Sequence, residues 1–154
     1  MPTEIERKFL VTGEAWKIPA TGRRCRQGYL NSARERTVRV RTIGDKAYLT
    51  VKGITTGASR TEFEYQIPVA DADAMLDDLC EKPLLEKIRY TLRVGRQTWE
   101  IDEFLGENQG LVVAEVELAS EDEAFEKPAW VAAEVTGDPR YFNANLGKHP
   151  FSKW

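Results

Sequence analysis

Glu4-Ile5-Glu6-Arg7-Lys8-Phe9-Leu10-Val11 is the stretch from which the rest of the chain can be read. As a β-strand it sends alternate side chains to opposite faces, with residues two apart about 6.6 Å from each other. Glu4, Glu6 and Lys8 then share one face, and Ile5 and Phe9 take the other. Two neighbouring carboxylates repel, so that face requires water or a cation. Taken alone, such a strand is an exposed edge carrying charges, a common protective device. Its meaning depends on whether later strands repeat it.

They do repeat it. Residues 36–43 place Thr37, Arg39 and Arg41 opposite Val38 and Val40, and Gly44-Asp45 turns the chain. Residues 46–52 return with Lys46, Tyr48, Thr50 and Lys52 on one face and Ala47, Leu49 and Val51 on the other. After a loop over 53–59, residues 60–68 set Arg60, Glu62, Glu64 and Gln66 against Phe63, Tyr65 and Ile67. Residues 85–94 carry Lys87, Arg89, Thr91 and Arg93, and residues 97–104 carry Glu100 and Asp102 away from Trp99 and Ile101. Residues 111–119 put Glu115 and Glu117 opposite Ala114, Val116 and Leu118. A further strand is predicted over 26–31, weakened by Gly28.

Helices are predicted after Thr12, from Asp71 through Cys80, after Ser120 (which with Glu123 spells a capping box), and from Asp138-Pro139 to Gly147. Residues 129–136 carry no clear pattern, and Gly22-Arg23-Arg24 reads as loop. There is no internal repeat or linker, and 154 residues suit one domain spanning 1–154.

Composition excludes some classes of function. A formal net charge of −3 lacks the basic excess of a nucleic-acid binder. No apolar run approaches the ~18 residues of a membrane span, and no signal pattern opens the chain, so a cytoplasmic protein that binds no membrane is expected. Cys25 and Cys80 lack metal-type spacing and read as free thiols. His149 is the single histidine, which leaves histidine acid–base chemistry little to stand on.

Two arrangements accommodate the repeated charged face. One is a one-sided sheet with its charges in solvent, where each exposed pair is worth ~0–1 kcal/mol. The other is a closed eight-stranded antiparallel barrel with its charges inward and short helices covering its apolar outside. An inward set of this density is costly unless a polyanion and metal ions neutralise it.

The order of these elements resembles the CYTH domain, the triphosphate tunnel metalloenzymes, in its short single-domain bacterial form. Glu4-Ile5-Glu6-Arg7-Lys8 matches the ExExK signature. Arg39-Val40-Arg41, Lys52, Glu62 and Glu64, Lys87-Ile88-Arg89, Asp102 and Glu115-Val116-Glu117 follow in family order. The resemblance implies a mainly antiparallel α+β tunnel that hydrolyses inorganic triphosphate with Mg²⁺ or Mn²⁺. It further implies that Arg39, Arg41, Lys52, Lys87 and Arg89 hold phosphate oxygens, and that Lys148 from a C-terminal helix reaches the ligand. Glu4, Glu6, Glu62, Glu64, Asp102, Glu115 and Glu117 are the pool of metal ligands, and Lys8 is the catalytic candidate. Adenylate cyclase and thiamine triphosphatase are the enzyme alternatives within the fold, and a polyphosphate- or nucleotide-binding module is the non-enzyme one. Only Met1-Pro2-Thr3 precedes ExExK, where cyclase-type members resemble one another in a His-Phe pair. Trp16 and Trp130 are candidate stacking partners for a base, and Tyr29 could reach a phosphate. The resemblance also allows a homodimer, although no residue marks an interface.

Overall fold

A computed structural model describes residues 2–154. Its strands are β1 (Thr3–Val11), β2 (Thr21–Asn31), β3 (Arg36–Ile43), β4 (Lys46–Gly53), β5 (Ser59–Ile67), β6 (Leu85–Val94), β7 (Gln97–Phe104), β8 (Val112–Glu117) and β9 (Val131–Glu134). Two α-helices, α1 (Val69–Asp78) and α2 (Asn143–Lys148), complete the regular structure together with short 3₁₀ turns. Eight antiparallel strands close in the order β1, β5, β4, β3, β2, β6, β7, β8 and back to β1. Closure joins the two outer strands of the sheet, β1 and β5, over three residue pairs. Among the described residues, no helix is long and apolar enough to cross a membrane.

The seam of this barrel is short. β1 pairs with β5 only from Thr3 to Ile5, while its other edge holds β8 from Glu6 to Leu10. Beyond Ile5 the first edge leaves β5, and at Phe9 and Val11 it takes β9 instead. The chain that follows β9 therefore sits in the gap between β1 and β5.

Alternation decides what faces where, and the core lies outside the barrel. Phe9, Trp99, Ile101, Ala114 and Val116 point outward and are covered by Trp16, Leu118, Phe125 and Trp130. On the opposite side, Val40, Ala47 and Leu49 pack under Ala72, Met75 and Leu76 of α1 and under Cys80, just beyond it. Gly28 belongs to this contact. A Cβ there would lie 2.7 Å from Leu84 and 2.9 Å from Cys80, so the glycine that weakens the strand prediction is what admits the covering segment.

The inward face changes character along its length. At one end Leu10, Leu85, Phe104 and Val113 replace the charged residues and meet Leu111, Val135, Tyr141 and Leu146 in an apolar plug. α2 thus closes an end of the barrel, whereas α1 covers its side.

Several local expectations differ from the structure. The helix after Thr12 is a single 3₁₀ turn at Ala15–Lys17, and the expected loop at Gly22–Arg24 lies within β2. No helix follows Ser120. Its hydroxyl bonds the Asp122 carboxylate, while the Glu123 carboxylate takes the amide of Ala119. The segment is drawn instead onto the sheet, where the Phe125 ring sits 6.0 Å from both Phe9 and Trp99. Residues 129–136, unpatterned in sequence, supply β9. The C-terminal helix is split, because Phe142 adopts extended angles (φ −69°, ψ 130°) between the turn Pro139–Tyr141 and α2.

Candidate active site

The charged face encloses a cavity of about 870 Å³. Its walls receive Glu4, Glu6 and Lys8 from β1, Arg39 and Arg41 from β3, and Lys52 from β4. Glu62 and Glu64 come from β5, Arg89 from β6, Glu100 from β7, and Glu115 and Glu117 from β8. Register brings them together across strands, with Lys8 opposite Glu115, Glu6 opposite Glu117, Lys52 opposite Glu62, and Thr50 opposite Glu64.

Most cations of the wall are paired. Lys52 Nζ lies 3.0 Å from Glu4 Oε1 and 3.2 Å from Glu62 Oε2. Glu64 Oε1 accepts from the Thr50 hydroxyl at 2.7 Å and from Arg41 Nη2 at 3.2 Å, with Arg39 Nη2 at 3.6 Å. Lys8 Nζ donates to the Tyr141 carbonyl at 3.2 Å and stands 3.8 Å from Glu115 Oε1. The pairing is incomplete, since Arg39 Nε and Arg41 Nε are buried donors with no hydrogen-bond partner among the described residues. Both side chains line the cavity.

Behind this wall lies a tighter cluster. Asp102 accepts from Arg89 Nε at 2.8 Å and Nη2 at 2.9 Å, and Lys87 Nζ is 2.9 Å from its Oδ2. Lys87 is fully buried and Asp102 nearly so, and neither lines the cavity. Burial pushes the Lys87 ammonium below its usual range despite the attraction of Asp102. Burial would raise Asp102, but the charges of Arg89 and Lys87 outweigh it and hold the carboxyl far below the ordinary range. Glu115 follows the same pattern, with Lys8 and Arg89 overcoming burial to bring it down to about 2.

The acids nearer the seam between β1 and β5 behave in the opposite way. Burial, with the charges of Glu115 and Glu4 added, raises Glu6 well above an ordinary glutamate. Burial and the proton shared with Glu4 bring Glu62 up to about 7, and burial with the charges of Glu4 and Glu100 raises Glu117. Glu4 itself is lowered, because Lys52 and the shared proton outweigh its burial. Protons are thus held where several carboxylates crowd together, and a divalent cation could replace them.

A hard cation fits this donor set. All of its candidate ligands are carboxylate oxygens, the preference of Mg²⁺, Ca²⁺ and Mn²⁺. Among the described residues, no three acids, histidines or cysteines already converge into a cage.

Of the residues expected from sequence, Lys148 is exposed and absent from the lining; Asn143 and Asn145 of α2 line the cavity instead. Trp16 is buried in the outer core against Tyr90, and Trp130 packs on Trp99 at 5.4 Å, so neither offers a stacking surface to the cavity. His149 is exposed. Tyr29 does line the cavity. Glu100 and Arg60 were legible from strand parity alone, yet neither belongs to the expected set. Glu100 is 3.3 Å from Arg89 Nη1.

An antiparallel barrel with apolar faces outward and a closed-ended lumen of guanidinium, ammonium and carboxylate groups belongs to the class of phosphate-binding tunnel proteins. The CYTH domain model matches residues 2–145. The chain is 54% identical over 154 residues to an inorganic triphosphatase of Acetivibrio thermocellus, covering 100% of this chain and 99% of that protein. It is 40% identical over 152 residues to an inorganic triphosphatase of Nitrosomonas europaea, covering 94% and 96%. A crystal structure of an inorganic triphosphatase aligns with a TM-score of 0.63 at 37% identity, over 96% of this chain and 95% of that one. The chain belongs to the CYTH domain family, and a divalent metal cofactor follows from that membership.

Proposed function

We propose that this chain is a metal-dependent inorganic triphosphatase that adds water across a terminal phosphoanhydride of tripolyphosphate, releasing pyrophosphate and phosphate. The observation that carries the reading is the lumen itself. It is a cavity in which Arg39, Arg41 and Arg89 stand beside a group of crowded carboxylates. The triphosphatase activity of two relatives, at 54% and 40% identity, supports the same substrate.

In this reading Arg39, Arg41 and Arg89 grip phosphate oxygens, since a planar guanidinium can make paired contacts with them. Lys52 supplies point charge next to Glu4 and Glu62. Asp102 and Lys87 act from behind, where the two carboxylate oxygens of Asp102 fix the plane of Arg89. Lys8, which donates to the Tyr141 carbonyl, protonates the leaving phosphate or stabilises its negative charge in this reading. Glu4, Glu6, Glu62, Glu64, Glu115 and Glu117 are the oxygens from which Mg²⁺ or Mn²⁺ would take its ligands. When bound, the cation neutralises phosphate charge and lowers the pKa of a coordinated water.

A substrate panel tests the proposal. Tripolyphosphate, ATP and thiamine triphosphate are each supplied with Mg²⁺ or Mn²⁺, and released phosphate and cyclic AMP are measured. The expected result is the highest kcat/KM on tripolyphosphate and no cyclic AMP. A clear preference for either organic triphosphate would overturn the substrate assignment.

A further inference from the structure

Lys8 is held differently from the other lysines of the inward face. Lys52 Nζ has carboxylate oxygens at 3.0 and 3.2 Å, and Lys87 Nζ has one at 2.9 Å. The carboxylate oxygen paired with Lys8 Nζ, on Glu115, stands at 3.8 Å, and the hydrogen bond goes instead to the neutral Tyr141 carbonyl. A neutral acceptor engages one of the three ammonium donors without cancelling the charge. The backbone of Lys8 is held by the same stretch of chain. The Glu6 amide still donates across the seam to the Ala58 carbonyl at 3.1 Å. The next donor on that edge of β1, the Lys8 amide, goes to Thr136 Oγ1 at 2.8 Å, and the Lys8 carbonyl accepts from the Val135 amide at 2.8 Å. β9 ends at Glu134, so the Thr136 hydroxyl stands in for a strand carbonyl.

The hydroxyl can accept because its own proton is committed elsewhere. Thr136 Oγ1 donates to Glu134 Oε2 at 2.7 Å, and Arg7 Nε donates to that same oxygen at 2.8 Å. The oxygen lone pairs are thereby turned to the Lys8 N–H. Gly137, at φ 81°, then turns the chain, and the Asp138 amide donates to the Val135 carbonyl at 3.0 Å. The turn Pro139–Tyr141 follows, and the buried Tyr141 ring sits in the apolar plug with Trp154 edge-on at 5.1 Å. Residues 135–141 thus begin on the backbone of Lys8 and end on its ammonium. We infer that Thr136 is a positioning residue for Lys8. Its hydroxyl fixes β1 at that residue and starts a bracket whose far end, the Tyr141 carbonyl, sets where the ammonium stands in the cavity. This inference rests on the proposed role of Lys8 at the leaving phosphate.

The test is a double-mutant cycle on tripolyphosphate with Mg²⁺, built from Thr136→Val, Lys8→Ala and the two combined. Thr136→Val keeps the side-chain shape and removes the hydroxyl. It is expected to lower kcat about tenfold with KM little changed, as misplacing a reacting group does. Thr136→Ser retains the hydroxyl and should restore most of the rate. In the Lys8→Ala background Thr136→Val should cost less than about twofold, because nothing is left to position. Glu134→Ala, at an exposed end of the same relay, should lower kcat by a smaller factor and spares the fold. Unchanged kcat in Thr136→Val, an equal loss in both backgrounds, or no rescue by Thr136→Ser would overturn the inference. A wild-type rate in Lys8→Ala would instead reject the catalytic reading of Lys8, and the inference with it. Hydrogen exchange of the Lys8 amide, followed by NMR without substrate, tests the Thr136 bond even if wild type turns over nothing. Faster exchange is expected in Thr136→Val than in Thr136→Ser, and equal protection in the two would overturn the bracket.

Discussion

Asp102 is the residue whose neighbours say most about how this lumen tolerates its charge. Each of its oxygens is taken, one by Arg89 and the other by Arg89 and Lys87, in a place sealed from the cavity. Removing one member of a buried ion cluster leaves the others uncompensated, typically at a cost of about 3–5 kcal/mol. Asp102→Asn is accordingly expected to lower the unfolding free energy from equilibrium denaturation by an amount in that range, and a change below about 1 kcal/mol would show that Lys87 is not held as described. Residues that face the cavity should respond differently. Lys8→Ala and Glu117→Gln are expected to lower kcat about 10²-fold or more, with little change in melting temperature, as loss of an electrostatic or metal contact does. Wild-type rates in both variants would reject those roles.

The split of β1 between β5 and β9 shows what alternation along a strand can and cannot reveal. Parity assigns Glu4, Glu6 and Lys8 to one face, and the structure places all three at the cavity. It gives no sign that the same edge changes partners between Ile5 and Phe9. β9 was not legible because it is only four residues long, and its place is set by contacts with β1 rather than by a local pattern. The capping box at Ser120 misled for a related reason: a cap only starts a helix, and the apolar spacing needed to bury one face does not follow it. α2 was legible as a helix, and only the resemblance suggested that such a helix closes an end of the barrel; its packing was not legible, since Leu146 meets residues distant in sequence. Leu146 is fully buried there. Leu146→Ala should cost about 3 kcal/mol by equilibrium denaturation, the usual range for such a truncation. A loss below 1 kcal/mol would mean that the end of the barrel is not packed as the structure has it.

Across the whole molecule, charge placement makes stability depend on pH and on metal together. Folded Glu62 keeps its proton to about pH 7, whereas the unfolded chain releases it near the ordinary value of 4.5. The folded state thus binds more protons across that window, and stability falls as pH rises through it. Glu6 and Glu117, also raised, add to the trend. Asp102 and Glu115 are lowered, so their stabilisation is present above the ordinary carboxylate range and is lost on acidification. The metal-free protein is expected to melt highest in mildly acidic buffer and progressively lower toward neutrality. Added Mg²⁺ should raise the melting temperature more near pH 8 than near pH 5, and an equal gain at both would contradict the exchange of protons for a cation.

The broad architecture was legible because one device, charge inward and apolar outward, recurs on strand after strand. The state of each pair was not legible, because Asp102 and Glu62 have the same parity and opposite surroundings. Whether this lumen is built to hydrolyse inorganic triphosphate is decided most directly by following tripolyphosphate with ³¹P NMR in the presence of wild-type protein, with and without a divalent cation. The account predicts equal amounts of pyrophosphate and phosphate, formed only when Mg²⁺ or Mn²⁺ is present and halted by a chelator. Intact tripolyphosphate after prolonged incubation of folded protein with either metal would contradict it.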